Sequence, residues 1–228
     1  MSPLPITYWS DILCIWAYIG QARMDEVQAG HGDSVAITPR FVSVFGDTHG
    51  KIAASWKDRD GFAGYARHVQ SVAARFPHVS LSPAAWTEVQ PASSMGPHLF
   101  AKAVSLWEAA QHDTPQRHQP LTESMIWTLR RGFFADALDI SRLDVQLDLA
   151  HPFGIPMLEI ERLLESGAPQ AALAADYQDA EKSRIEGSPT LVLNEGRQKL
   201  YGNVGYRIID ANIRELLREP ATGQASWC

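Results

Sequence analysis

Strand texture at both ends of this chain, with helical texture between them, restricts its fold more than any other feature. Ile6 and Tyr8 alternate with Thr7 and Trp9, the pattern of a part-buried strand. A polar break at Ser10-Asp11 follows, then a helical pattern through Arg23, Met24 and Val27 that Gly30 to Gly32 stop. Val35 to Phe45 is rich in β-branched and aromatic residues and reads as a buried strand, with Pro39 at its start or at a bulge. A strand-helix-strand opening of this kind implies a parallel crossover. At the far end, Thr190 to Asn194, a turn at Glu195-Gly196 and Arg197 to Tyr201 read as a hairpin. Gly202 and Gly205 flank a turn before a closing helix over Tyr206 to Glu219, with Ile209, Ile213 and Leu216 facing inward. Neither end is large enough to bury a core alone, so the two halves are expected to share one sheet.

The intervening stretch is helical. Phe45 to Arg59 reads as loop on its turn signals, and helices are expected over Gly61 to Phe76 and Gly96 to His112. Leu99, Ala103 and Trp107 form one stripe of the latter. Pro77 to Pro97 is a proline-punctuated connector with a short helical turn around Ala84 to Trp86, and Pro115 to Pro120 is a loop. Leu121 to Leu138 carries Met125, Leu129 and Phe133 four apart, and Ser141 to Asp144 has capping-box spacing for a helix over Leu143 to Ala150. Pro156 to Ser166 and Pro169 to Ile185 open on proline and end at Gly167 and Gly187. Pro220 to Cys228 reads as a frayed tail. The organisation expected is an α/β core from residues 1–60 and 186–228, interrupted by a helical domain over 61–185.

Composition narrows the function. The chain has 228 residues, 45% hydrophobic and 20% charged, with a net charge of -6. That balance is ordinary for a soluble globular protein and argues against nucleic acid or an anionic membrane as partner. Ile12 to Gly20 is too short to span a bilayer, and the first eleven residues hold no Lys or Arg. A cytoplasmic protein is the expectation. Two cysteines, Cys14 and Cys228, cannot make a disulfide framework, and the eight histidines show no zinc-type spacing, so no metal site is expected.

Cys14 carries the chemistry, if any residue does. It stands where the helix begins, and unpaired N–H groups and the positive end of the helix dipole favour thiolate there. The alternative is a small inert core residue between Leu13 and Ile15. Asp11 has the spacing of a helix cap, although a carboxylate beside the thiol would raise its pKa. Trp16 is placed to shield the sulfur or to pack. Cys228 reads as a mobile exposed thiol.

Two segments carry a resemblance. Trp9-Ser-Asp11-x-x-Cys14-x-Trp16-x-Tyr18-Ile-Gly20 resembles the active-site segment of DsbA-like thioredoxin-fold proteins, and Gly187-Ser188-Pro189-Thr190 resembles their cis-proline loop. The helical stretch between them matches the same architecture. The resemblance implies a thioredoxin-like fold with a large helical insertion, Cys14 as nucleophile, and Ser188, Pro189, Trp16 and Asp11 around the partner. Ala17 stands where dithiol members carry a second cysteine, so no neighbouring thiol can resolve a mixed disulfide. A related branch, with kappa-class glutathione transferases and 2-hydroxychromene-2-carboxylate isomerases, uses a serine near this position and binds glutathione. The expectation is a monothiol, glutathione-linked thiol-disulfide oxidoreductase. It would have no tightly bound cofactor and would act on glutathione, another small thiol or disulfide, or a protein thiol, with a homodimer left open. A glutathione-dependent isomerase or transferase and a non-catalytic binding or chaperone-like module are the alternatives.

Overall fold

The computed structural model describes residues 2–111 and 120–218. The loop expected over Pro115 to Pro120, Pro120 apart, and the tail with Cys228 fall outside them. The opening half consists of β1 (Leu4–Ser10), α1 (Ile15–His31) and β2 (Val35–Phe41). Then come α2 (Thr48–Ser55), α3 (Gly61–Ala73), α4 (Met95–Ala110), α5 (Leu121–Phe134), α6 (Leu143–Ala150), α7 (Met157–Ser166) and α8 (Ala168–Lys182). The closing half is β3 (Thr190–Leu193), β4 (Gln198–Tyr201) and α9 (Tyr206–Leu217). Both halves join in one four-stranded sheet ordered β2-β1-β3-β4, parallel between β1 and β2 and antiparallel elsewhere. This is the mixed α/β, thioredoxin-like architecture expected.

Burial follows from strand position. Central β1 buries Leu4, Ile6 and Tyr8 against Met24 and Val27 of α1 and Ile209 and Ile213 of α9. Towards its C-terminal end Trp9 and Ser10 are buried too, because helices cover both faces there. Edge strand β2 is only partly buried, unlike the buried strand expected. Pro39 sits within it, opposite Tyr8, rather than at a start or bulge. An edge strand needs ladder hydrogen bonds on one side only, so the missing N–H is tolerated.

Several local expectations are corrected. Helix α2 replaces part of the loop expected over Phe45 to Arg59, because Asp47 caps it by accepting from Gly50 N at 2.9 Å. Ala84 to Trp86 forms a tight turn and not a helical one. It is closed by Trp86 N to Val89 O and Val89 N to Ala84 O, both 3.0 Å. The capping box at Ser141 does not form, although α6 does. Ser141 Oγ donates to Asp139 at 2.6 Å, and Asp144 pairs with Arg142 at 2.6 Å. Helix α5 stops at Phe134, and Asn194 belongs to the β3–β4 turn with positive φ.

One continuous apolar cluster runs from Ile15 and Ile19 of α1 to Phe100 of α4 and Leu129 and Phe133 of α5. A buried histidine ties this region to the β1–α1 loop. His98 of α4 accepts from Ile12 N through Nε2 (3.1 Å), so its proton sits on Nδ1 and is donated to Tyr177 Oη of α8 (3.1 Å). Its ring stacks on Phe41 with centroids 4.3 Å apart. Burial pushes the His98 pKa down to about 4, against the pull of Asp11 at 3.7 Å. The imidazole is neutral, and the two side chains do not form an ion pair at neutral pH.

This predicts an acid-sensitive fold. The unfolded chain binds a proton on this histidine below about pH 6.5, while the folded protein resists until about pH 4. Stability is complete above that window and falls as pH is lowered through it, by a total on the order of 3 kcal/mol. Urea midpoints measured across the window should show this slope, and His98→Gln, which keeps an acceptor for Ile12, should flatten it.

Candidate active site at the start of the first helix

The turn between β1 and α1 is shaped by Asp11. Its carboxylate is fully buried. Oδ1 accepts from Leu13 N at 2.9 Å, and Oδ2 accepts from Val44 N (2.9 Å), Phe45 N (2.8 Å) and Ser94 Oγ (2.8 Å). One side chain therefore holds the β1–α1 turn, the segment after β2 and the entry to α4 together. This corrects two expectations. Asp11 does not cap α1, whose N-cap is Cys14 and has no side-chain cap bond. Nor does its side chain offer surface to a substrate, because its contacts are all with the protein interior.

Cys14 itself lies just before the first helical turn. Its carbonyl accepts from Ala17 N and Tyr18 N, each at 3.1 Å, and its own N–H donates to Asp11 O at 3.1 Å. The thiol faces the chain segment preceding β3 and donates to Ser188 O at 3.3 Å. The Ser188–Pro189 peptide bond is cis. Ser188 Oγ accepts from Asp11 N at 2.9 Å, and Pro189 O accepts from Gly202 N at 2.9 Å. Thr190 Oγ1 donates to Gly187 O at 2.8 Å, and a Cβ at Gly187 would meet the Tyr201 ring closely. These bonds place two segments distant in sequence against one another at a single sulfur.

The electrostatics of that sulfur oppose the simple expectation. Cys14 is 5% exposed, and burial pushes its thiol up from the ordinary value. The Ser188 side chain and the N–H groups of Ala17 and Trp16 pull it down, while Asp11 pushes it up. Burial wins, so the resting protein holds a thiol and not a preformed thiolate. Trp16 is half-buried. Its ring meets Phe76 edge-on at 6.2 Å, with the Arg75 guanidinium 5.8 Å from its centroid.

Of the residues singled out, Cys14, Ser188 and Pro189 converge, Trp16 flanks them, and Asp11 supports them from within. His98 was not among them. A histidine one turn into an apolar helix carries no sequence signal that its ring will meet Ile12. Ser94, whose hydroxyl reaches Asp11 from the start of α4, carries no such signal either.

Comparison with known proteins follows from this geometry. The family model described as a DSBA-like thioredoxin domain matches residues 5–214. Among curated proteins none matches the sequence. Among solved structures, a probable DsbA oxidoreductase from Streptomyces coelicolor superimposes with a TM-score of 0.70 at 19% identity, covering 96% of this chain and 93% of that one. The cytosolic disulfide reductase DsbM from Pseudomonas aeruginosa gives 0.65 at 15% identity, covering 93% and 100%, and has a second structure with GSH. A 2-hydroxychromene-2-carboxylate isomerase gives 0.65 at 13% identity, covering 93% and 95%. At these identities the likeness is one of fold.

Two outcomes are expected. Asp11→Ala should lower unfolding stability by roughly 3 kcal/mol or more in urea titration, since it takes the acceptor from the buried Leu13 and Phe45 N–H groups and from the buried Ser94 hydroxyl. In Cys228→Ser protein, the alkylation rate of Cys14 should rise with a midpoint above the ~8.5 of a free cysteine, because burial dominates.

Proposed function

That this chain belongs to the DSBA-like thioredoxin domain family is the premise from which we propose a monothiol, glutathione-linked thiol-disulfide oxidoreductase with Cys14 as nucleophile. The observation that carries this reading is the sulfur at the start of α1, 3.3 Å from the Ser188 carbonyl. An incoming partner that hydrogen-bonds the backbone beside Pro189 would present its own sulfur to Cys14, in the manner of strand addition. Trp16 would form a side wall of the approach.

The reaction balances without a second cysteine. The Cys14 thiolate attacks the sulfur of a glutathione mixed disulfide, forming Cys14–S–S–glutathione and releasing the substrate thiolate, which takes up a proton. A second glutathione then attacks that disulfide, giving glutathione disulfide and restoring Cys14. The raised thiol pKa limits the ionised fraction but leaves a more nucleophilic sulfur once the proton is lost. Glutathione supply suits a cytoplasmic setting, and the cytosolic disulfide reductase DsbM, whose structure is also known with GSH, supports that setting by analogy. No helix among the described residues is long and apolar enough to cross a membrane.

A second reading has an observation of its own. A Cys14 that stays protonated is a hydrogen-bond donor, and turning its S–H from the Ser188 carbonyl would let it hold a bound glutathione thiolate that adds to an electrophilic small molecule. The isomerase among the structural neighbours shares the fold that this reading requires.

Incubation with glutathione disulfide and mass mapping separates the two. The first reading expects a glutathione adduct on Cys14 that free glutathione removes, and loss of turnover on a glutathionylated peptide in Cys14→Ser. Absence of the adduct, or turnover intact in Cys14→Ser, would overturn it.

A further inference from the structure

Two guanidinium groups without an acidic partner lie beside residues of the thiol site. Arg75, exposed just after α3, holds its guanidinium carbon 5.8 Å from the Trp16 ring centroid. Arg23 of α1, half-buried, lies 6.0 Å from the centroid of Phe76, the ring that meets Trp16 edge-on. Nη1 of Arg23 donates to Asn203 Oδ1, a neutral acceptor in the turn before α9. Arg23 also lines one small space with Pro189 and Gly202. That space, about 20 Å³, is too small to enclose a ligand, so whatever Arg23 meets stays at the surface. Among the described residues neither arginine has a carboxylate within ion-pair distance.

Local geometry accounts for the position of Arg23. Helical side chains lean towards the N-terminus, so Arg23 lies back over Gly20, one turn nearer Cys14. Its Nη1 is 3.9 Å from where a Cβ at Gly20 would stand. A guanidinium laid on an aromatic ring is already partly immobilised while its N–H fork stays available, so a carboxylate that docks on it costs little further ordering. The chain as a whole carries a net charge of -6, which disfavours anions at long range. Arg23 and Arg75 oppose that field beside Pro189 and Trp16, where a partner of Cys14 would arrive. Neither is among the groups that shift the Cys14 thiol, so their charge is left for the partner.

Resting on the redox reading of Cys14, we propose that Arg23 and Arg75 are specificity-determining residues. They select small disulfides that carry carboxylates, glutathione disulfide among them, over neutral and cationic ones. The exchange balances for any of these. The Cys14 thiolate attacks one sulfur, a new S–S bond forms as the old one breaks, and the departing thiolate takes up a proton.

Glutathione disulfide, bis(2-hydroxyethyl) disulfide and cystamine carry net negative, zero and net positive charge. Each is reacted with the full Cys228→Ser chain, and adduct formation on Cys14 is timed by mass spectrometry. Each rate is divided by the rate of the same disulfide with 2-mercaptoethanol, which removes intrinsic reactivity. Glutathione disulfide should exceed cystamine by about tenfold or more, a preference that shrinks at high salt. Arg75→Glu should slow glutathione disulfide and speed cystamine, an opposite response that a merely structural role would not give. Arg23→Gln should slow glutathione disulfide alone. Should that variant not fold, Asn203→Asp, which gives Arg23 an anionic partner, takes its place with the same expectation. Equal scaled rates for the three disulfides, or a preference that survives high salt, Arg75→Glu or the Arg23 variant unchanged, would overturn the proposal and leave the redox reading standing. No adduct with any disulfide would overturn both.

Discussion

The buried Asp11 carboxylate is the interaction on which the arrangement around Cys14 depends. Three backbone N–H groups and one hydroxyl, from three separate stretches of chain, end on its two oxygens. Without it, the turn after β1, the segment after β2 and the start of α4 would each bury unsatisfied polar groups. Its backbone N–H also donates to Ser188 Oγ, which brings in the segment preceding β3. A single residue thereby couples both halves of the sheet and the helical stretch to the position of one sulfur.

That same residue makes the sulfur harder to ionise. Burial first, and Asp11 to a smaller extent, push the Cys14 thiol up, and Ser188 with the helix-start N–H groups only partly offset them. The geometry of a nucleophile is present while its charge is held back. Desolvation penalises the charged form most where water is absent, so a change in hydration around Cys14 alters its reactivity more than any single hydrogen bond there.

Much of the fold was legible because periodicity and breakers are local properties. Both strand-rich ends, the hairpin before α9 and most of the helices fall where alternation, apolar stripes and glycine stops place them. Helix α2 escaped because Gly46-Asp47 and His49-Gly50 signal a turn and a capped helix start alike, and only the Asp47–Gly50 bond decides between them. Ser141 shows the reverse. Its spacing suits a capping box, but Asp139 lies closer to the hydroxyl, and Arg142 takes the carboxylate of Asp144.

For the site, the sequence determined which atoms could react and where the chain turns. Cys14 stands at a helix start, Ala17 leaves it without a neighbouring thiol, and Ser188-Pro189 stands just before a strand. Tertiary structure decided everything that depends on which distant residues meet. It buried Cys14 and raised its thiol, made Asp11 a hub instead of a cap, and set His98 on Ile12 and Tyr177. Nucleophile identity and chain direction are set residue by residue, whereas desolvation and hydrogen-bond partnership exist only once the chain has closed around a group.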